Sequence, residues 1–286
     1  MIHTTRSVYS GWMKNNANTP GRVLIVAGSD SGGGAGIQAD IKTVTSLGAF
    51  AMTAVTAITV QNTQGVTAVH EVPLDIVAGQ IEAVVADIGV DVIKTGMLAS
   101  CPMIETVADT LARAAPGVPR VVDPVMRAKG GHALLAEDAA QALVKRLVRG
   151  AAMVTPNLPE AEVLTGRTIK SIGDMEQAVE ACRALGAQAV LLKGGHLEGA
   201  QLLDLLITSD QVIRFEDTRI DTTSTHGTGC TLASAIAAGL SRGLGLRDAV
   251  IAARTYVRGA ILSAPGLGRG HGPLNHGHVF GTFQQR

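Results

Sequence analysis

Residues 23–47 read VLIVAGSDSGGGAGIQADIKTVTSL. The first six are apolar without alternation, the pattern of a strand buried on both faces. A glycine-rich turn follows, and the spacing then predicts a helix over residues 36–47. The same cycle repeats downstream. Residues 50–60, rich in Val, Ile and Thr, read as a strand, residues 61–65 as a turn and residues 66–72 as another strand. No helix separates these two strands, so they are expected to pair antiparallel as a small lid or edge extension. Beyond Pro73 comes a helix, then DVIKTG as a strand, a helix after Pro102, RVVDPV as a strand and a helix over residues 137–147. AMVTPN continues as a strand, with a short helix after Asn157 and a longer one over residues 174–185. AVLLKGG and two shorter strands at residues 202–207 and 211–215 precede two closing helices, residues 227–241 and 246–263. Such alternation predicts an α/β fold, with a mostly parallel central sheet covered by helices on both faces. Residues 21–286 are expected to form a single domain, residues 1–20 a disordered tail and residues 266–278 a loop.

Composition narrows the function classes. Lys plus Arg and Asp plus Glu both total 24, so no net field recruits nucleic acid or an anionic membrane. Aromatic residues are 2% of the chain, too few for a base-stacking platform. Nucleic acid and membrane are therefore not expected as partners. No apolar run approaches the ~20 residues that span a bilayer. The three cysteines, Cys101, Cys182 and Cys230, have no metal-type spacing and cannot all pair, which suits a reduced cytoplasmic setting.

Several polar clusters directly follow strand runs, and open α/β sheets bind ligands beyond those strand ends. In GSDSGGGAGIQAD (residues 28–40) four glycines fall within residues 32–36, more than a turn requires, and a backbone able to approach a ligand is expected. Residues 34–39 fit the loose dinucleotide fingerprint, but residues 56–64 lack the ribose-binding acid, and no Gly-Lys-Ser/Thr marks a Walker loop. In DTTSTHGTGCTLASAIAAGL (residues 221–240) the apolar spacing sets Gly227, Thr228, Gly229 and Cys230 at a helix N-terminus. Free amides and the helix dipole make an anion site there, and the same field is expected to favour a Cys230 thiolate. Cys182 lies on an apolar stripe and reads as packing.

Asp123 in VVDPVM and Glu160 in TPNLPE are candidate Mg²⁺ acids. Lys193 in LLKGGH is a candidate for ATP phosphates. Asn157 and Glu160 read equally well as a helix cap and a solvated first-turn acid. His271, His276 and His278 have no fixed spacing for a metal.

VAGSDSGGGAGIQADIKT, AVTAITVQNTQGV, DVIKTGMLAS, VVDPVM, TPNLPEAEVLTG, AVLLKGGH and THGTGCTLASAIAAGL occur in this order. Together they resemble the hydroxymethylpyrimidine/phosphomethylpyrimidine kinases of the ribokinase-like superfamily, from about residue 20 to the end. The resemblance implies two successive phosphorylations, of 4-amino-5-hydroxymethyl-2-methylpyrimidine and then of its monophosphate, with ATP as co-substrate and Mg²⁺ as cofactor, in thiamin biosynthesis. It implies that Gln61 hydrogen-bonds the aminopyrimidine and that Gly28, Asp40 and Met97 line its pocket. It further implies that Asn157 and Lys193 serve ATP, that Glu160 and Asp123 serve the metal, and that residues 227–229 form the anion hole. Cys230 would be the base, where most of the superfamily has Asp. A pyridoxal kinase or dual-specificity enzyme is the nearest alternative, set back by the VQNT segment. A non-catalytic nucleotide-binding module should have lost GTGC. The early β pair offers an exposed edge for a homodimer.

Overall fold

The computed structural model describes residues 19–126, 134–135 and 139–281. The strands are β1 (Arg22–Asp30), β2 (Phe50–Asn62), β3 (Gly65–Glu71), β4 (Val92–Thr95), β5 (Arg120–Val122), β6 (Met153–Val154), β7 (Ala189–Lys193), β8 (Gln201–Thr208) and β9 (Val212–Thr218). The helices are α1 (Gly36–Ser46), α2 (Leu74–Asp87), α3 (Cys101–Ala114), α4 (Ala139–Leu143), α5 (Leu158–Thr165), α6 (Ile172–Gln177), α7 (Val179–Ala184), α8 (Thr228–Ser241) and α9 (Leu246–Leu262). All the strands join one sheet of order β3-β2-β1-β4-β5-β6-β7-β8-β9. Neighbours from β2 to β7 run parallel, while β3 on one edge and β8 and β9 on the other pair antiparallel.

Lack of alternation in the central strands follows from two cores, one on each face. Leu24, Val26, Ile93, Val122, Val154, Val190 and Leu192 point into the first, beside Ile81 of α2 and Met103, Ile104 and Val107 of α3. Val23, Ile25, Val92, Val121, Met153, Ala189 and Leu191 point into the second, against α8, α9 and Val44 of α1. With apolar material on both sides, a polar residue in these strands would be buried whichever way it pointed.

Helix α8 is buried throughout its middle, from Thr231 to Ala238, because Ala and Ser let it sit close to the sheet and to α9. The expected β2–β3 pair is an antiparallel edge hairpin. Two helices differ from expectation. Residues 174–185 form two short helices, α6 and α7, meeting at Ala178, where ψ opens to −6°. The expected start at Glu137 lies outside the described residues, and α4 passes into a π turn, Val144–Val148. Most of the expected tail, residues 1–18, also lies outside them.

Candidate active site

Beyond the carboxyl ends of the parallel strands opens a cleft of about 990 Å³. Gly28, Gln61, Met97, Asp123, Asn157, Glu160, Lys193 and residues 227–230 all line it. Asp40 does not, which corrects its expected place in the pocket wall. Its side chain points from α1 into the protein, where Lys94 Nζ lies 3.0 and 2.9 Å from its two oxygens and Ser234 Oγ donates at 2.7 Å. Both members of this ion pair are fully buried, and Lys94 also forms part of the cleft floor. Burial pushes the Asp40 carboxyl up, opposed by Lys94 and Ser234. Burial pulls Lys94 down, yet Asp40, Cys230 and Asp123 outweigh it and hold the ammonium above its ordinary range. The bidentate geometry is that of a charged pair.

Above this pair starts α8. Gly227 adopts φ +78°, and a Cβ there would lie 1.8 Å from the Gly34 carbonyl oxygen, so glycine is required where the two loops touch. A Cβ on Gly229 would lie 3.4 Å from Lys193 Nζ and 3.8 Å from an Asp123 carboxylate oxygen. The first turn of α8, with its free amides and positive dipole end, thus faces a lysine and an acid across the cleft.

Cys230 departs from expectation. Its thiol is pushed up to about 12, first by burial and then by Asp40 and Asp123, against the opposing pull of Lys94 and the Gly36 N–H. The helix terminus does not make a thiolate on its own, because burial, with Asp40 and Asp123 adding to it, outweighs what favours the charged form. Cys182 is fully buried and its thiol is pushed up to about 11 by that burial, as packing requires.

The glycine-rich loop also differs. Its amides are aimed at the protein's own Asp30: Gly32 N–H donates to Oδ1 at 2.7 Å, and Gly34 and Ala35 N–H to Oδ2 at 3.0 and 2.8 Å. Gly34 is small because His226 Cδ2 would stand 2.5 Å from a Cβ there, and Gly36 because the Gly28 carbonyl oxygen would stand equally close. The glycines serve loop packing around an internal carboxylate, while Ala35 and Gly36 still line the cleft.

Asn157 and Glu160 form a reciprocal capping box at α5, with Asn157 Oδ1 accepting from Glu160 N–H at 2.9 Å and Glu160 Oε2 from Asn157 N–H at 2.8 Å. The cap reading is therefore met, but the solvated-acid reading is not, since Glu160 is 7% exposed. Burial pushes its carboxyl up to about 7, Lys193 works against this and Asp123 adds to it. Asp123 is 2% exposed, with long contacts to Thr155 Oγ1 at 3.4 Å and Lys193 Nζ at 3.5 Å.

Among the cleft residues that escaped the sequence reading are Lys94, Asp30 and His226. His226 Nε2 lies 2.8 Å from Asp30 Oδ2 and 3.3 Å from the Gln61 amide. The closing loop braces this wall: Thr63 Oγ1 accepts from Arg269 and Gly270 N–H, and His226 bridges to Pro273. The tail histidines are spent locally, with His276 Nε2 3.0 Å from Thr231 Oγ1 and His278 Nδ1 3.0 Å from the Asn275 carbonyl oxygen.

Amides at a helix mouth, one lysine and two buried acids suit the charge that develops when a phosphoryl group moves. The fold agrees, for the structure of an ADP complex of Bacillus subtilis pyridoxal kinase superposes with a TM-score of 0.85 over 92% of this chain and 100% of that one, at 36% identity. The class is thus an ATP-using small-molecule kinase with the ribokinase-like fold. Residues 30–275 match the phosphomethylpyrimidine kinase family. The hydroxymethylpyrimidine/phosphomethylpyrimidine kinase of Rhizobium meliloti is 49% identical over 89% of this chain and 96% of that protein. A thiamine biosynthesis bifunctional protein of Geobacter sulfurreducens is 52% identical, and the chain spans 52% of its length. Phosphomethylpyrimidine kinase from Clostridium difficile superposes with a TM-score of 0.74 over 84% of this chain and 99% of that one, at 41% identity. The chain belongs to the hydroxymethylpyrimidine/phosphomethylpyrimidine kinases, phosphotransferases of thiamin biosynthesis.

Proposed function

We propose that this cleft carries out both family reactions, phosphorylating hydroxymethylpyrimidine and then its monophosphate, with the ring held at Gln61 and the reacting oxygens at the mouth of α8. The observation behind this reading is that Gln61, Gly28 and Met97 share one cleft with Lys193, Asp123 and residues 227–230. A glutamine amide both donates and accepts, as a ring nitrogen beside an exocyclic amine requires. Gly28 leaves room for the Met97 side chain, whose sulfur would stand 3.1 Å from a Cβ there. Lys193 is placed to meet ATP phosphates, Asn157 to border the nucleotide, and the amides of residues 227–229 to receive the charge on the transferred group. Cys230, above Lys94, is the group positioned to take the hydroxyl proton. Gln61→Ala is expected to lower kcat/KM for hydroxymethylpyrimidine by about 10- to 100-fold, the scale of a lost buried polar contact. The KM for ATP should stay near wild type in the same coupled assay. Full pyrimidine activity in that variant would remove the ring from Gln61.

Asp123 and Glu160 fit Mg²⁺: both are hard oxygen donors, and the long contacts of Asp123 leave its buried charge short of partners. Mg²⁺ held there would neutralise phosphate oxygens. Glu160 must lose its proton to act as a ligand, and its carboxyl sits at about 7. The apparent Mg²⁺ affinity is therefore expected to rise about tenfold between pH 6 and 8, with protons competing at the lower end. Titrations of activity against Mg²⁺ at each pH check this, and Glu160→Gln should flatten the dependence. An equal pH dependence in that variant would assign the proton elsewhere.

A second reading, phosphorylation of pyridoxal by the same cleft, draws on the higher TM-score to a pyridoxal kinase, whereas sequence identity is higher to the phosphomethylpyrimidine kinase. Identity weighs more here, because both proteins share the fold and the ring-contacting residues decide between substrates. A homodimer is supported by Ile58 and Val60, 53% and 59% exposed beside the edge strand. Among the described residues no helix is long and apolar enough to cross a membrane, and the three free cysteines support a reduced cytoplasmic setting. Residues 21–286 are read as one kinase domain on the strength of the shared sheet.

A further inference from the structure

Asp30, Thr59, Gln61 and His226 come from three separate segments and form one chain of polar contacts in the cleft wall. His226 Nε2 lies 2.8 Å from Asp30 Oδ2 and 3.3 Å from one terminal atom of the Gln61 amide. The other amide atom lies 3.1 Å from Thr59 Oγ1, which is itself 2.8 Å from the Ser29 carbonyl oxygen. Oxygen and nitrogen in an amide are told apart by their partners, so the hydrogens must be assigned from the network as a whole.

Asp30 fixes the starting point. It accepts from three loop amides, and although burial pushes its carboxyl up, His226 and those amides outweigh burial and hold it below its usual range. A carboxylate 2.8 Å from Nε2 requires that Nε2 carry a hydrogen, in the neutral or the charged ring alike. With the one Nε2 hydrogen directed at Asp30, the Gln61 atom 3.3 Å away is the carbonyl oxygen, a secondary acceptor of that hydrogen, because an NH₂ there would face an N–H. The Gln61 NH₂ then points to Thr59, whose hydroxyl hydrogen is already spent on Ser29. The opposite orientation either sets two N–H groups face to face at 3.3 Å or, with Nε2 bare, sets two lone pairs 2.8 Å apart at Asp30 and His226.

We propose that His226 is a positioning residue that locks the direction of the Gln61 amide and thereby sets the order of acceptor and donor offered to the substrate ring. The acceptor lies on the His226 side and the donor on the Thr59 side. This rests on the aminopyrimidine reading given above, and it orients that ring with its exocyclic amine toward His226 and its adjacent ring nitrogen toward Thr59. The 4-oxo analogue, 5-hydroxymethyl-2-methylpyrimidin-4-one, carries the reverse order, a carbonyl beside a ring N–H. The lock should reject it, because an amide free to turn over would accept either ring.

The test is the ratio of dissociation constants for the amino and oxo rings, measured by calorimetry on the full chain. Wild type should prefer the amino ring. His226→Leu removes the donor at similar volume and should shrink the preference by about tenfold, the lower end of a buried hydrogen bond's worth. His226→Gln can present a side-chain N–H near the Nε2 position and should keep the preference within a few-fold. An equal loss of both rings in His226→Leu, with the ratio unchanged, would reduce His226 to a packing role and overturn the proposal. ¹⁵N spectra of the wild-type imidazole decide independently of any variant's folding: a hydrogen on Nε2 supports the lock, and an Nδ1–H ring with bare Nε2 overturns it. A wild-type enzyme that fails to phosphorylate the amino ring would instead sink the substrate reading, while the spectra still report on the lock.

Discussion

Cys230→Ala is expected to lower kcat by ~10²–10⁴, the usual worth of a positioned base, while KM for both substrates stays within a few-fold. The helix mouth proposed to receive charge is backbone and survives the substitution. A stronger signature lies in the pH profile. Only the deprotonated thiol can accept a proton, and burial with two nearby acids lifts it to about 12. The wild-type kcat should therefore climb with pH across the neutral range without levelling off on this group. Alkylation of Cys230 by iodoacetamide should be slow at pH 7 and quicken as the pH rises. Cys230→Asp, with the carboxylate common in the superfamily, should retain part of the activity and lose the climb. Near-wild-type turnover in a folded Cys230→Ala enzyme would leave the amides of residues 227–229 to carry the reaction.

Lys94→Met is expected to destabilise the fold by about 3–5 kcal/mol, because it strands the Asp40 carboxylate in a fully buried site. For a chain of this size that corresponds to a Tm lower by roughly 5–8 °C. The double variant Lys94→Met/Asp40→Leu should recover much of the loss, since removing both charges is far cheaper than removing one. Activity should not return with it: Lys94 lowers the Cys230 thiol by more than Asp40 raises it, so removing both still leaves the thiol higher. Thermal melts and turnover on the same preparations separate the two roles. A single variant as stable as wild type would mean that Asp40 is held by Ser234 alone.

The fold was legible where local sequence and tertiary setting agree. Runs such as residues 23–27 can be buried on both faces only in a covered sheet, and the hairpin of β2 and β3 announced itself by the missing helix. The site was legible in position more than in charge. Motifs at strand ends converge because parallel strands all end on one rim, so the cleft lining followed from order alone. What failed depended on contacts between distant segments. The glycines of residues 32–36 suggest a ligand cradle until Asp30 is seen to fill it, and that requires the loop's own turn geometry. A helix N-terminus favours a thiolate until the thiol is found to be buried, with Asp40 and Asp123 beside it. Lys94 did leave a signal that went unread. A lysine between Ile93 and Thr95 in a strand hidden on both faces must have a buried counter-charge, and Asp40 is one helix away.

Two apolar faces also have a cost for β1. In most strands the alternation of oily and polar residues tells the chain which way to face, so a slip of one residue is punished at every position. In β1 a slip would merely exchange Val23 and Ile25 with Leu24 and Val26, trading one aliphatic set for another. The information that fixes its alignment must come from its end. There, between Ala27 and Ser29, the pairing with β2 shifts, and Asp30 collects the loop amides that no neighbouring residue could collect in its place. The residue that steadies the wall proposed to hold the ring is thus also the one that tells β1 where to stop, so sequence drift at Asp30 would be felt in folding accuracy before it was felt in catalysis.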